Sequence, residues 1–121
     1  MLGFRSKLEL RFSIMLKEAK IGYEYETEKF TLMDKFKQEH WARFGKKFKR
    51  LESVRAVTYT PDFIIWNKKQ KFIIEIKGFR TDSYKIKMKL FLNWLRLNDP
   101  EAIFVEINTI TEMNFFINKI Y

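Results

Sequence analysis

Apolar residues recur along this chain with two different periods. Over residues 6–20 they return at helical spacing, and Leu8, Phe12, Met15, Leu16 and Ala19 fall on one face. Ser6 and Glu9 have the Ser-x-x-Glu spacing of a capping box at the start of that helix, and Gly22 is a plausible stop. Residues 23–33 alternate in part (Tyr23, Tyr25, then Phe30, Leu32), which predicts one or two short strands. Residues 34–53 follow neither period clearly and read as a short helix or a long basic loop. Residues 54–66 are β-rich, with a kink, bulge or edge position expected at Pro61, which lacks a backbone donor. A polar turn over Asn67–Gln70 leads into the strand KFIIEIK, residues 71–77, which Gly78 ends. Thr81, Asp82 and Ser83 offer N-caps for a helix over about 83–98. The apolar face predicted for that helix is Ile86, Leu90, Trp94 and Leu97. Asp99-Pro100 breaks it. Residues 103–107 form a late strand and residues 111–120 a short terminal helix. This order of helix, strands, helix, strand, helix predicts an α/β or α+β domain. With 121 residues, no repeat and no linker, one domain over 1–121 is expected.

Composition changes the picture in three ways. Lys and Arg number 24 against 15 Asp and Glu, a net charge of +9, so polyanions are the expected partners. A membrane is disfavoured, because no uncharged apolar run approaches the roughly 20 residues of a spanning helix. Arg5, Lys7 and Glu9 break up the N-terminal apolar residues, so no secretory leader is expected and a cytoplasmic location is, in the host for a phage-encoded chain. The absence of Cys excludes thiolate zinc sites and a Cys nucleophile, and the single His40 excludes any site needing two His from one chain. A bound metal would therefore take oxygen ligands, which suits Mg²⁺ or Mn²⁺.

The two strands around the Asn67–Gln70 turn carry the candidate chemistry. With the turn there, Trp66 faces Lys71, Ile64 faces Ile73 and Asp62 faces Glu75. Opposed residues share a face, with Cβ atoms roughly 5 Å apart, and alternation puts Lys77 on that face too. The other face holds Phe63, Ile65, Phe72, Ile74 and Ile76. Adjacent carboxylates raise one another's pKa, and a divalent cation between Asp62 and Glu75 would relieve that repulsion. Such a site, with Lys77 orienting water, fits phosphodiester hydrolysis. Hairpin geometry alone equally admits a surface ion pair of Lys77 with Glu75, and Asp62 capping a turn after Pro61.

Pro61-Asp62, a twelve-residue gap and Glu75-Ile76-Lys77 resemble the signature of the PD-(D/E)XK nuclease superfamily. The segments Thr58-Tyr59-Thr60-Pro61-Asp62-Phe63 and Glu75-Ile76-Lys77-Gly78 are similar to those of the junction-resolving endonucleases of T-odd phages. The Lys-rich stretch YKIKMKLF resembles a group of small phage proteins of the same superfamily. The resemblance covers most of residues 4–95, although the basic stretch between Phe36 and Arg55 has no obvious counterpart in the resolvases. It implies a restriction-endonuclease-like core, a central mixed sheet flanked by helices. It implies a Mg²⁺- or Mn²⁺-dependent DNA endonuclease acting as a homodimer without a small-molecule cofactor. Asp62 and Glu75 would be metal ligands, the Ile76 carbonyl a further one, and Lys77 the water-positioning base. Glu9, at the start of the first helix, would support a second metal, a role compatible with capping.

DNA phosphates are expected to meet Lys46, Lys47, Lys49 and Arg50, with Lys85 and Lys89 on the second helix and Lys7 beside Glu9. His40 has no nameable partner and reads as structural or exposed. Two alternatives stay open. One is a restriction-like, homing or transposon-end nuclease whose base reading comes from residues 34–55. The other is a nucleic-acid-binding protein on the same fold that does not cut.

Overall fold

The computed structural model describes residues 3–121. Helix α1 spans Lys7–Glu18 and is followed by strands β1 (Glu24–Tyr25) and β2 (Phe30–Met33). A long hairpin, β3 (Phe36–Phe44) and β4 (Lys47–Val54), leads back through β5 (Val57–Tyr59). Strands β6 (Phe63–Asn67) and β7 (Gln70–Ile76) form a second hairpin. Helix α2 (Asp82–Asn98), strand β8 (Ile103–Ile107) and helix α3 (Ile110–Phe115) complete the fold, with a π-helical turn over Phe116–Ile120. The protein is a mixed α+β fold.

Its centre is a four-stranded mixed sheet in the order β1-β6-β7-β8. β6 and β7 pair antiparallel with Ile64 opposite Ile73 and Trp66 opposite Lys71, the register expected from the turn. β8 runs parallel to β7, so the chain must cross the sheet between them, and α2 is that crossover. Strand alternation sends Phe63, Ile65, Phe72, Ile74 and Ile76 to one face, where Phe12 and Leu16 of α1 and Met113 of α3 cover them. Ile64 and Ile73 point the other way and pack with Met88, Phe91 and Leu95 of α2 and with Phe30 and Tyr59. Both faces are therefore buried, and the sheet's polar side chains can reach solvent only at its ends.

Two sequence expectations are corrected. Residues 34–53 are neither helix nor loop. They form the β3–β4 ribbon, whose tip carries Gly45 at φ +66°, as the first position of a two-residue II′ turn requires. Neither face of the ribbon is buried, so no period-2 apolar signal marks it in the sequence. The buried stripe of α2 is Tyr84, Met88, Phe91 and Leu95, not the Ile86–Leu97 stripe. Ile86, Leu90 and Leu97 are exposed and Trp94 is half-buried. α2 has two apolar stripes, and only one can face the sheet.

Candidate metal centre

Asp62, Glu75 and Lys77 lie at the ends of β6 and β7. The ladder stops at Phe63–Ile74, because Pro61 lacks an N–H and the chain veers off. Asp62 then turns inward, and its Oδ2 accepts from the backbone N–H of Ile76 at 2.8 Å. The carboxylate thus replaces the missing ladder bond and is fixed beside Glu75. Tyr59 of β5 donates its hydroxyl to Glu75 Oε1. Lys77 is held by its backbone. Its N–H donates to the Ile107 carbonyl at 2.9 Å, and its carbonyl accepts from Asn108 Nδ2 at 2.8 Å. Its Nζ lies 5.1 Å from the centre of the Tyr84 ring, within cation–π range.

α1 brings the third acid. Ser6 caps the helix by accepting from the Glu9 N–H at 3.1 Å. The Glu9 side chain does not close a capping box. Its Oε2 accepts from the Ser6 hydroxyl at 2.8 Å and its Oε1 from the Tyr25 hydroxyl at 2.6 Å, so the buried carboxylate faces the sheet end. Gly78 permits this approach. A Cβ there would sit 3.3 Å from Leu8 Cδ1, tight against α1.

The structure adds a fourth acid that the sequence does not single out. Carboxylate oxygens of Glu9, Glu26 and Asp62 lie within 4.8 Å of one another. Glu26 has φ +52°, a left-handed conformation uncommon for a residue with a Cβ. It is held by its N–H donating to the Asp62 carbonyl at 3.0 Å and by Arg5, 2.8 Å from its carboxylate. The backbone strain aims an acid at the cluster. No sequence pattern announces it, since Glu26 sits in an irregular turn that acquires meaning only when β1 docks on β6.

Glu9, Asp62, Glu75, Ile76 and Lys77 all line one cleft of about 500 Å³, together with Arg5, Tyr59 and Lys87. Burial, followed by the neighbouring Glu75 charge, pushes the Asp62 carboxyl up to about 8. Burial likewise raises Glu75, against the opposing pull of Tyr59 and Lys77. The Tyr59 and Tyr25 hydroxyls are also pushed up, by burial first and then by the carboxylates they serve, so both stay donors at neutral pH. A set of buried acids costly to ionise together, with hard oxygens facing one space, fits Mg²⁺ or Mn²⁺. Each carboxylate keeps free lone pairs beyond its internal hydrogen bonds.

The basic residues divide. Lys87 of α2, outside the set expected from the sequence, lines the acid cleft. Lys85 and Lys89 instead line a neighbouring groove with Arg80 and Glu106, because two residues along a helix turn a side chain by about 200°. Lys7 is exposed on α1 and does not line the cleft. Lys46, Lys47, Lys49 and Arg50 sit on the ribbon. Arg50 is engaged by Glu39 at 2.6 Å and Glu52 at 3.2 Å. His40 is half-buried, its Nδ1 2.8 Å from the Gln38 carbonyl.

The model of one protein family, described as "protein of unknown function (DUF1064)", matches residues 2–106. The chain belongs to this DUF1064 family. The matched span holds every acid of the cleft, Lys77 and Lys87, and the whole β3–β4 ribbon. No curated protein and no solved structure matches the chain. No helix among the described residues is long and apolar enough to cross a membrane.

Proposed function

We propose that this DUF1064 protein is a metal-dependent endodeoxyribonuclease on a PD-(D/E)XK-type core, one that hydrolyses phosphodiester bonds in DNA, branched DNA included. The observation that carries the reading is the convergence of Glu9, Asp62, Glu75 and Lys77 in one cleft of a chain with net charge +9. The acids alone would repel a phosphate. The basic surface, with Lys87 at the cleft wall, offsets that repulsion.

Glu9, Glu26, Asp62 and Glu75, with the Ile76 carbonyl, would hold Mg²⁺ or Mn²⁺. When bound, such a cation lowers the pKa of a water and neutralises phosphate charge. Tyr59 and Tyr25 fix the orientation of Glu75 and Glu9, as outer partners of ligands do. Lys77, with its backbone tied to β8, orients the attacking water and stabilises negative charge growing on the phosphate.

A second reading is a nucleic-acid-binding protein that does not cut. It is favoured by Glu9 and Glu75 each accepting a hydrogen bond from a tyrosine hydroxyl within the chain. Incubation with supercoiled plasmid and with a four-way junction separates the two. Cleavage is expected with Mg²⁺ or Mn²⁺, with no zinc requirement, and none with Ca²⁺ alone or with excess chelator. No products with any of these cations, or full activity in chelator, overturns the nuclease reading. Symmetric cutting of both strands needs two clefts, so the reading includes a two-fold homodimer on DNA. Light scattering that shows a monomer both free and bound, with nicked products only, removes that part.

A further inference from the structure

Among the described residues the β3–β4 ribbon pairs with no other strand, and it exposes both faces. An isolated two-stranded ribbon gains little from burial, yet this one displays four large aromatics, Phe36 at its foot and three nearer its tip. Trp41, Phe44 and Phe48 are 59%, 57% and 70% exposed. The register opposes Trp41 to Arg50 and Arg43 to Phe48, which sets these four on one face. Trp41 and Phe48 lie 5.9 Å apart with ring planes 29° from parallel. The other face carries Phe44 with Lys47 and Lys49, and Lys49 Nζ sits 4.6 Å from the Phe44 ring centre. Arg43, Lys46, Lys47 and Lys49 form no ion pair among the described residues, and no acid lies between Glu39 and Glu52.

The partner must therefore be a polyanion that also offers flat apolar faces. Paired bases in a duplex cover their faces by stacking on one another. An anionic membrane accepts an element apolar on one side and polar on the other, whereas this ribbon is aromatic and basic on both. Unpaired nucleotides present both features at once: phosphates along the backbone and free rings between them.

We infer that the β3–β4 ribbon is an arm that binds single-stranded DNA, stacking bases on Trp41 and Phe48 while Arg43, Lys46, Lys47 and Lys49 contact phosphates. The arm springs from the cleft itself. β2 and β5 flank its foot, with Met33 opposite Val57, and the chain runs on from β5 through Tyr59 to Asp62. Nine residues of β3 at roughly 3.4 Å each reach about 30 Å from that foot. The inference deepens the nuclease reading by naming single-stranded or forked DNA as the substrate class. It rests on that reading for the cutting, but not for the binding.

The test is equilibrium binding of the full chain in excess chelator, where cleavage plays no part. The probes are a twelve-nucleotide oligothymidylate and a twelve-base-pair duplex at the same salt. The oligothymidylate should bind at least tenfold more tightly. Trp41→Ala with Phe48→Ala should weaken it by at least tenfold, and weaken the duplex by less than about threefold. Trp41→Tyr with Phe48→Tyr should restore most of the affinity, which a merely misfolded arm would not allow. Lys46→Gln, Lys47→Gln and Lys49→Gln together should flatten the slope of log K against log salt by about 0.7 for each phosphate no longer neutralised. Equal weakening on both probes, unchanged oligothymidylate binding in the alanine pair, or displacement by phosphatidylserine vesicles that depends on the same pair overturns the inference. A chain that cuts nothing with Mg²⁺ yet binds oligothymidylate through these two residues loses the nuclease reading and keeps this one. A chain that cuts but is indifferent to the pair does the reverse.

Discussion

Glu26 and Lys77 show how differently two site residues can be written in a sequence. Glu26 owes its place to one backbone angle, since its φ of +52° turns an otherwise ordinary surface acid toward Glu9 and Asp62. Glu26→Gln keeps the shape and removes the charge, so Mn²⁺ affinity measured by calorimetry should fall by at least about tenfold, the scale seen when groups around a metal site are removed. Unchanged affinity would leave Glu26 as no more than the ion-pair partner of Arg5. Lys77, by contrast, is legible. Counting outward from the Lys68-Lys69 turn sets the register, and register fixes which side chains share a face. Lys77→Ala should lower single-turnover cleavage by at least about a hundredfold and change DNA affinity by less than about threefold. Normal cutting, or binding that falls in step with activity, would make it an ordinary phosphate-contacting lysine. The tyrosine donors to Glu9 and Glu75 are not legible, because they come from strands paired only in three dimensions. Lys87 escapes for a simpler reason: with two apolar stripes on α2, the sequence does not say which lysine faces the acids.

That ambiguity belongs to the element. Ile86, Leu90, Trp94 and Leu97 have good helical spacing, and so do Tyr84, Met88, Phe91 and Leu95. The second set wins because it carries the larger contacts, with Phe91 wedged among Phe30, Tyr59 and Phe104. Phe91→Ala should cost about 3–5 kcal/mol in urea unfolding, the usual range for a buried Phe truncated to Ala. Leu97→Ala on the exposed stripe should stay within about 0.5 kcal/mol. The reverse ranking would mean that α2 docks by its other face. The β6–β7 hairpin is legible because its strands are strongly apolar and its turn is polar. The β3–β4 ribbon is not, since an element that buries neither face carries no burial pattern, and five positive charges in eight residues resemble a loop. Membership in DUF1064 does not choose between the readings of the cleft. That choice rests on the side chains the elements bring together.

At the scale of the whole molecule, the basic chain buries three of its acids, Glu9, Asp62 and Glu75, in one cleft. Asp62 sits near 8 through burial and then through Glu75, and Glu75 is raised by burial too. In the unfolded chain both ionise near pH 4. Through Asp62, between about pH 4 and pH 8 the folded, metal-free protein therefore holds more protons than the unfolded chain, so stability falls as pH rises through that window, and the raised Glu75 acts in the same direction. In chelator, the melting temperature should drop between pH 5 and pH 8. Mg²⁺ or Mn²⁺ should recover it at pH 8 and do less at pH 5, where the Asp62 carboxyl stays protonated and cannot serve as a ligand. Asp62→Asn removes the ionising group but keeps an oxygen to accept from the Ile76 N–H. That variant should lose cleavage, melt higher than the parent in chelator at pH 8, and show a shallower slope with pH. Groups away from the cleft contribute equally to both proteins and cancel in the comparison. Identical slopes for parent and variant would show that the Asp62 carboxyl ionises freely in the folded state. The cleft would then be open to water rather than a closed set of acids arranged around a cation.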